Sequence, residues 1–216
     1  MKPIRPKSGP RSGIPRGAAG FTLLELLIVM ALFSLVMTGV YTAYRSQQKS
    51  YLVQEQVAAM QQNLRAGMFY LSQAIRMAGY DPEDTAIPGL VSAMPGFTSD
   101  GATCDDTTIA FTLDDNANRV VDTNDTEMVA FRLSDQMTLE KFSTGAIRWQ
   151  TVVENVESLR FTYLDTDGNV TGTLADVRSV QVALTVRTAQ PDRDFPGDGY
   201  RRRTLTSRLQ CRNLGL

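Results

Sequence analysis

Gly20-Phe21-Thr22-Leu23-Leu24-Glu25-Leu26-Leu27-Ile28-Val29 is the stretch that decides how this chain is built. Before it, residues 1–20 hold Lys2, Arg5, Lys7, Arg11 and Arg16 among prolines, with no acid. After it, Phe21 to Val40 is almost wholly apolar, and its one charge is Glu25. A carboxylate inside a membrane span costs roughly 2.5–3.5 kcal/mol on insertion scales, so it is rarely kept without a use.

A secretory signal peptide has its cleavage site after the apolar region. Here the small residues Ala18-Ala19-Gly20 come before it, so cutting there leaves the apolar segment on the mature chain. Twenty helical residues at about 1.5 Å each cover about 30 Å, the thickness of a bilayer core. Five cations precede the span and only Arg45 and Lys49 follow it closely, which predicts a cytoplasmic N-terminus and an extracytoplasmic body. A plain anchor has the same topology but gives no reason for Glu25.

The junction resembles the class III leader of type IV pilins and type II secretion pseudopilins. That resemblance implies cleavage after Gly20 by a prepilin peptidase, N-methylation of Phe21, storage in the inner membrane and assembly into a helical filament. It also implies that Glu25 meets the terminal amine of a neighbouring subunit. The physics agrees, because a carboxylate and an ammonium are each costly alone in low dielectric and tolerable as a pair. The other reading of Glu25 is an interfacial residue that snorkels to the headgroups.

Removing the five leader cations from 22 leaves 17 against 23 acids, a mature net charge of −6, which gives no general reason to expect a nucleic-acid partner. The chain has no histidine, so a Ser-His-Asp triad, a Cys-His pair and a histidine-rich zinc site are excluded. No cofactor is implied, and no carboxylate pair or serine–lysine spacing suggests an enzyme. The two cysteines, Cys104 and Cys211, are consistent with a periplasmic disulfide, two unpaired thiols being the other reading.

Beyond the span, Val53, Val57, Met60, Leu64, Met68, Leu71 and Ile75 recur by threes and fours, one face of an amphipathic helix. Gly79-Tyr80-Asp81-Pro82 predicts its end. A single helix from Phe21 to about Ala78 would be nearly 90 Å long at about 1.5 Å per residue. Ser34, Thr38 and Gly39 are weak helix formers that could loosen its middle, and Thr42 stands near where many major pilins carry a proline. Residues 81–106 read as loop.

Alternation then marks strands at Ile109–Leu113, Val129–Leu133, Ile147–Val153, Leu159–Tyr163 and Val180–Val186, with a weaker one through Leu205, Leu209 and Cys211. Asp165-Thr166-Asp167-Gly168-Asn169 reads as a turn. The expectation is α+β: an antiparallel sheet, each strand burying one face, packed on the lower half of the long helix. Residues 153–165 and 176–182, with the ending 205–209 and 212–214, are similar to the C-terminal part of PilW-like minor pilins, and a related pattern occurs in the J-type minor pseudopilin of type II secretion. What this implies is a place in a tip complex that primes pilus assembly.

Two further groups carry chemistry. Asp114, Asn116 and Asn118 alternate and invite calcium, yet Arg119 and Asp125 occupy the sixth and twelfth places, where an EF-hand needs glycine and glutamate. A solvated hairpin loop is the preferred reading. Arg201-Arg202-Arg203 could contact phosphate, either of DNA or of lipid headgroups, or could guard an edge strand by pairing with acids, which is preferred.

The expected organisation is a cytoplasmic leader 1–20, a transmembrane half-helix 21–45, an amphipathic periplasmic half-helix 46–79 and a β-rich periplasmic domain 80–216. The resemblance implies a minor pilin whose partners are other pilin subunits, the prepilin peptidase and methyltransferase, the inner-membrane assembly platform and the bilayer. The alternatives are a minor pseudopilin of type II secretion and, in a different class, a membrane-tethered module binding DNA or a surface.

Overall fold

A computed structural model describes residues 20–82, 89–91, 104–122, 126–143 and 148–214. The leader cations, Ile147 and Asp125 lie outside the described residues. The chain divides into two compact units, Met1–Ser50 and Tyr51–Leu216. Helix α1 (Leu23–Met77) is one uninterrupted element of 55 residues.

Within the first unit, every described residue is exposed. The weak helix formers Ser34, Thr38 and Gly39 do not break α1, and the hydroxyls of the first two bond inside it. Ser34 donates to the Ala31 carbonyl, Thr38 to Ser34 and Thr42 to Thr38, each at 2.8 Å. Such back-bonding leaves no bare hydroxyl where water is scarce. This apolar segment is long enough to cross a membrane.

In the second unit, α1 buries Met60, Leu64, Met68, Leu71 and Ile75 of the predicted stripe together with Gly67, while Val53 and Val57 of that stripe are half-buried. Gly67 joins that face because even a Cβ there would crowd the side chains opposite. A Cβ would stand 2.9 Å from Leu184 Cδ2 and 3.2 Å from Val153 Cγ2. The helix ends as expected at Gly79, whose φ of 73° is the left-handed conformation of a helix terminus. The Gly79 amide then donates to the Thr112 carbonyl at 3.0 Å, tying the helix end to the first strand.

The expectation of one sheet is corrected to two. β1 (Thr108–Thr112), β2 (Met128–Leu133), β3 (Thr138–Ser143) and β4 (Gln150–Glu154) form an antiparallel meander. β5 (Val156–Leu164), β6 (Ser179–Arg187) and β7 (Arg202–Gln210) form a second antiparallel sheet. The change of sheet takes one residue. Asn155, at φ 61°, breaks the extended run between β4 and β5, and asparagine tolerates that left-handed conformation better than most residues.

The two sheets share one core with the helix face. Phe111, Phe131, Leu139, Phe161, Val182 and Leu184 pack in the same cluster as Leu64, Leu71 and Ile75. Tyr163 of β5 reaches across to the entry of β1, its hydroxyl 3.0 Å from the carbonyls of both Asp105 and Thr108. The Phe161 amide donates to the Asp106 carbonyl at 2.8 Å beside it.

One strand expectation needs correction, and one strand, β3, was not expected. β1 buries both faces, because Ile109 and Phe111 enter the main core while Ala110 packs with Met128, Ala130 and Phe142 in a second cluster. β3 carries no clean alternation. Its register shifts between Leu139 and Glu140, so its buried residues Leu139 and Phe142 fall three apart rather than two.

Candidate functional site

The N-terminal junction is built by the helix start. Thr22 precedes α1, and its Oγ1 accepts a hydrogen bond from the Glu25 amide at 3.2 Å. Thr22-Leu23-Leu24-Glu25 is thus a capping sequence, with threonine at the N-cap and glutamate at the third helical position. Sequence reading singled out Glu25 and missed Thr22, although a threonine three residues before a glutamate was visible. The acid lies in the first turn, where the positive end of the helix dipole favours a carboxylate.

Gly20 shows why residue identity here is not a folding matter. Its φ is outside the left-handed range, and a Cβ would meet no described atom within 4 Å. A Cβ has open space there, so the described residues give no packing reason for glycine. Phe21 is 83% exposed and Leu23 78%. An apolar run left this bare requires lipid or other helices around it.

The calcium candidates lie in the β1–β2 loop, where the Asp114 carboxylate is already occupied by backbone amides. Asp114, fully buried, accepts from the amides of Asn118 at 3.2 Å and Arg119 at 2.9 Å. Buried Glu127 accepts from Asp115, Asn116 and Asp122. Asn116 and Asn118 both donate side-chain amides to Asp122. Among the described residues no group of three or more acids or cysteines is arranged to hold a metal ion.

The arginine cluster is dispersed over partners. Arg201 pairs with Asp192 at 3.1 Å and stacks over Phe195 at 4.4 Å. Arg202 reaches Glu157 at 2.5 Å and also Asp198. Arg203 is exposed on β7, the edge of the three-stranded sheet. The cluster therefore decorates a strand edge and forms no common phosphate pocket.

Cys104 and Cys211 carry free thiols, one half-buried and one buried, and both pack against the main core. Cys104 Sγ lies 3.1 Å from the Ala110 carbonyl oxygen. Burial, and after it the charge that Cys104 would carry, push the Cys211 thiol up to about 11. Burial likewise raises Cys104, and burial followed by the Cys104 charge raises Tyr163.

This architecture, an apolar helix start with a capped acid running into an α+β body, is that of pilin-like subunits. The chain belongs to the family described as prepilin peptidase-dependent protein B, which matches residues 53–208. The prokaryotic N-terminal methylation motif matches residues 15–41. No curated protein matches the chain. It is a type IV pilin-like minor pilin, a pilin- or pseudopilin-type subunit whose partners include the prepilin peptidase and pilin subunits.

Proposed function

We propose that this chain is a minor pilin of the type IV pilus, a structural and assembly subunit of a tip or priming complex. The observation that carries the reading is the junction. Gly20 has no role in the fold, while next to it stands an exposed apolar helix with a single acid in its first turn. Cleavage after Gly20 frees the Phe21 amine, which is then methylated. Glu25 offers that amine of a neighbouring subunit its counter-charge while both lie in low dielectric. The apolar half-helix holds the subunit in the inner membrane, N-terminus inward, until the assembly platform extracts it. The β-rich body then selects which subunits sit beside it.

Mass spectrometry of the protein from its native membrane tests this. A mature N-terminus at Phe21 with one methyl group supports the pathway, and an intact Met1 leader sinks it. The rival role, a minor pseudopilin of type II secretion, shares every one of these steps. Deleting the gene separates the two, since loss of surface pili supports the first and loss of an exported protein the second. The tethered DNA-binding reading is weakened by Arg201 and Arg202, whose charges are met by Asp192, Glu157 and Asp198. Salt-sensitive binding of phosphate polymers would revive it.

Cys104 and Cys211 are further proposed to form a disulfide once the body reaches an oxidising compartment. The bond would close a loop of roughly a hundred residues, contributing about 4–5 kcal/mol in the chain-entropy model.

A further inference from the structure

At one end of the three-stranded sheet the strands finish level. Leu164 of β5 pairs with Ser179 of β6, which pairs with Gln210 of β7. A hollow of about 750 Å³ opens there, lined by Asp165, Thr166, Arg178, Ser179, Arg208 and Gln210. That volume is in the range of small-ligand sites, roughly 300–1,000 Å³.

The two arginines of the lining are held by neutral groups. Arg132, Arg201 and Arg202 each have an acid within ion-pair distance. Arg178 and Arg208 have none among the described residues, and neutral partners hold both in place. Arg208 Nε donates to Ser179 Oγ at 2.9 Å, leaving both terminal nitrogens without a protein acceptor among the described residues. Its guanidinium lies against Gly168, where a Cβ would stand 3.1 Å from Nη1 and 3.3 Å from Nη2. Arg178 Nη1 donates to the carbonyls of Ala175 and Val177 at 2.8 and 2.9 Å. Its backbone is locked on both sides, the amide donating to Leu164 and the carbonyl accepting from Cys211. Ser179 is only 4% exposed, and its oxygen already accepts from Arg208, so its own proton is free to donate.

Two fixed guanidiniums lining one hollow favour an anion there, and arginine presents paired donors that match a planar or tetrahedral oxyanion. Asp165 is the one acid in the lining. Its carboxylate accepts the Asn169 amide at 2.8 Å, and turn amides hold it below the usual carboxylate range. It is committed to the turn and stays ionised, leaving a net charge of +1 for the lining.

We propose that this hollow binds an oxyanion, the carboxylate or phosphate group of a ligand outside the chain, through Arg208 and Arg178 with the Ser179 hydroxyl. The site is independent of the filament role.

The test uses the full-length mature protein in a non-ionic detergent, at fixed ionic strength. Sodium phosphate and sodium glucuronate are titrated separately against a sodium chloride blank, following arginine Nε resonances by NMR. A saturable shift of Arg208 with either probe is expected. Phosphate alone assigns a phosphate ligand, and glucuronate alone assigns a carboxylate. Arg208→Gln and Arg178→Gln should each weaken binding about tenfold or more, as loss of a charge-assisted hydrogen bond does. Arg203→Gln, on the same strand outside the hollow, should leave it unchanged. Melting temperatures identify any variant that has lost its fold, and the remaining variant of the pair then decides. Failure of both probes to saturate beyond the chloride blank would overturn the proposal. So would equal weakening by Arg203→Gln, which marks bulk charge.

Discussion

The Thr22 hydroxyl oxygen accepts the Glu25 backbone amide, so the residue that starts the helix and the acid of its first turn are joined by one hydrogen bond of 3.2 Å. The bond uses the backbone of Glu25 and leaves its carboxylate free. Capping and charge are therefore separable by mutation.

Glu25→Gln keeps the size of the side chain and the Thr22 cap while removing the charge. It should be cleaved normally and fail to enter filaments, and Glu25→Ala should behave alike. Thr22→Val should lose about 1 kcal/mol of helix stability at the start yet still assemble. Quantifying each variant in purified filaments checks this. Incorporation of Glu25→Gln at the normal level would refute charge pairing.

Gly20→Leu should leave an uncut precursor with an otherwise intact body, because nothing in the fold requires glycine there. Immunoblots would show a band heavier by the leader, with unchanged protease resistance of the β-rich body. Normal processing of this variant would dissociate the junction from the peptidase.

Gly67 separates two opposing effects. Replacing a mid-helix glycine by alanine gains up to about 1 kcal/mol in helix propensity. Here the new Cβ must push Leu184 Cδ2 from 2.9 Å, so Gly67→Ala should change stability little. Gly67→Leu should cost about 1–3 kcal/mol or more, since both sheets crowd that spot. Urea unfolding of the full chain in non-ionic detergent measures both, and a stable leucine variant would mean that the helix does not lie this close.

The thiols set a pH dependence. Cys211 rises from 9.0 to about 11 on folding, and Cys104 and Tyr163 rise as well. The unfolded chain therefore gives up these protons first, so stability is complete below pH 9 and falls as pH climbs toward 11. For Cys211 alone the loss is about 2–3 kcal/mol. Denaturant midpoints of the reduced protein should decline through this window, and less steeply in Cys211→Ala. If Cys104 and Cys211 bond, the oxidised protein should show higher midpoints and a shallower decline. Identical curves with and without reductant would rule the bond out.

Much of the fold was legible because local spacing carries it. The stripe Met60, Leu64, Met68, Leu71 and Ile75 reads as a helix face, and Val180, Val182, Leu184 and Val186 read as a strand. β3 was missed because its irregular register hides the alternation. The division into two sheets was invisible because it rests on the backbone of one residue, Asn155.

The sequence by itself determined the junction, the apolar half-helix and its lone acid, since these follow from order, hydropathy and charge along a single segment. Tertiary structure alone decided what long-range contact decides. It set Gly67 under Leu184 and Val153, turned the Asp114 and Glu127 carboxylates to backbone amides, and gave Arg201 and Arg202 acid partners while leaving Arg178 and Arg208 facing one hollow. The physical reason is that hydropathy acts residue by residue, whereas the partner of a charge or the room beside a glycine belongs to chain segments brought together only by folding.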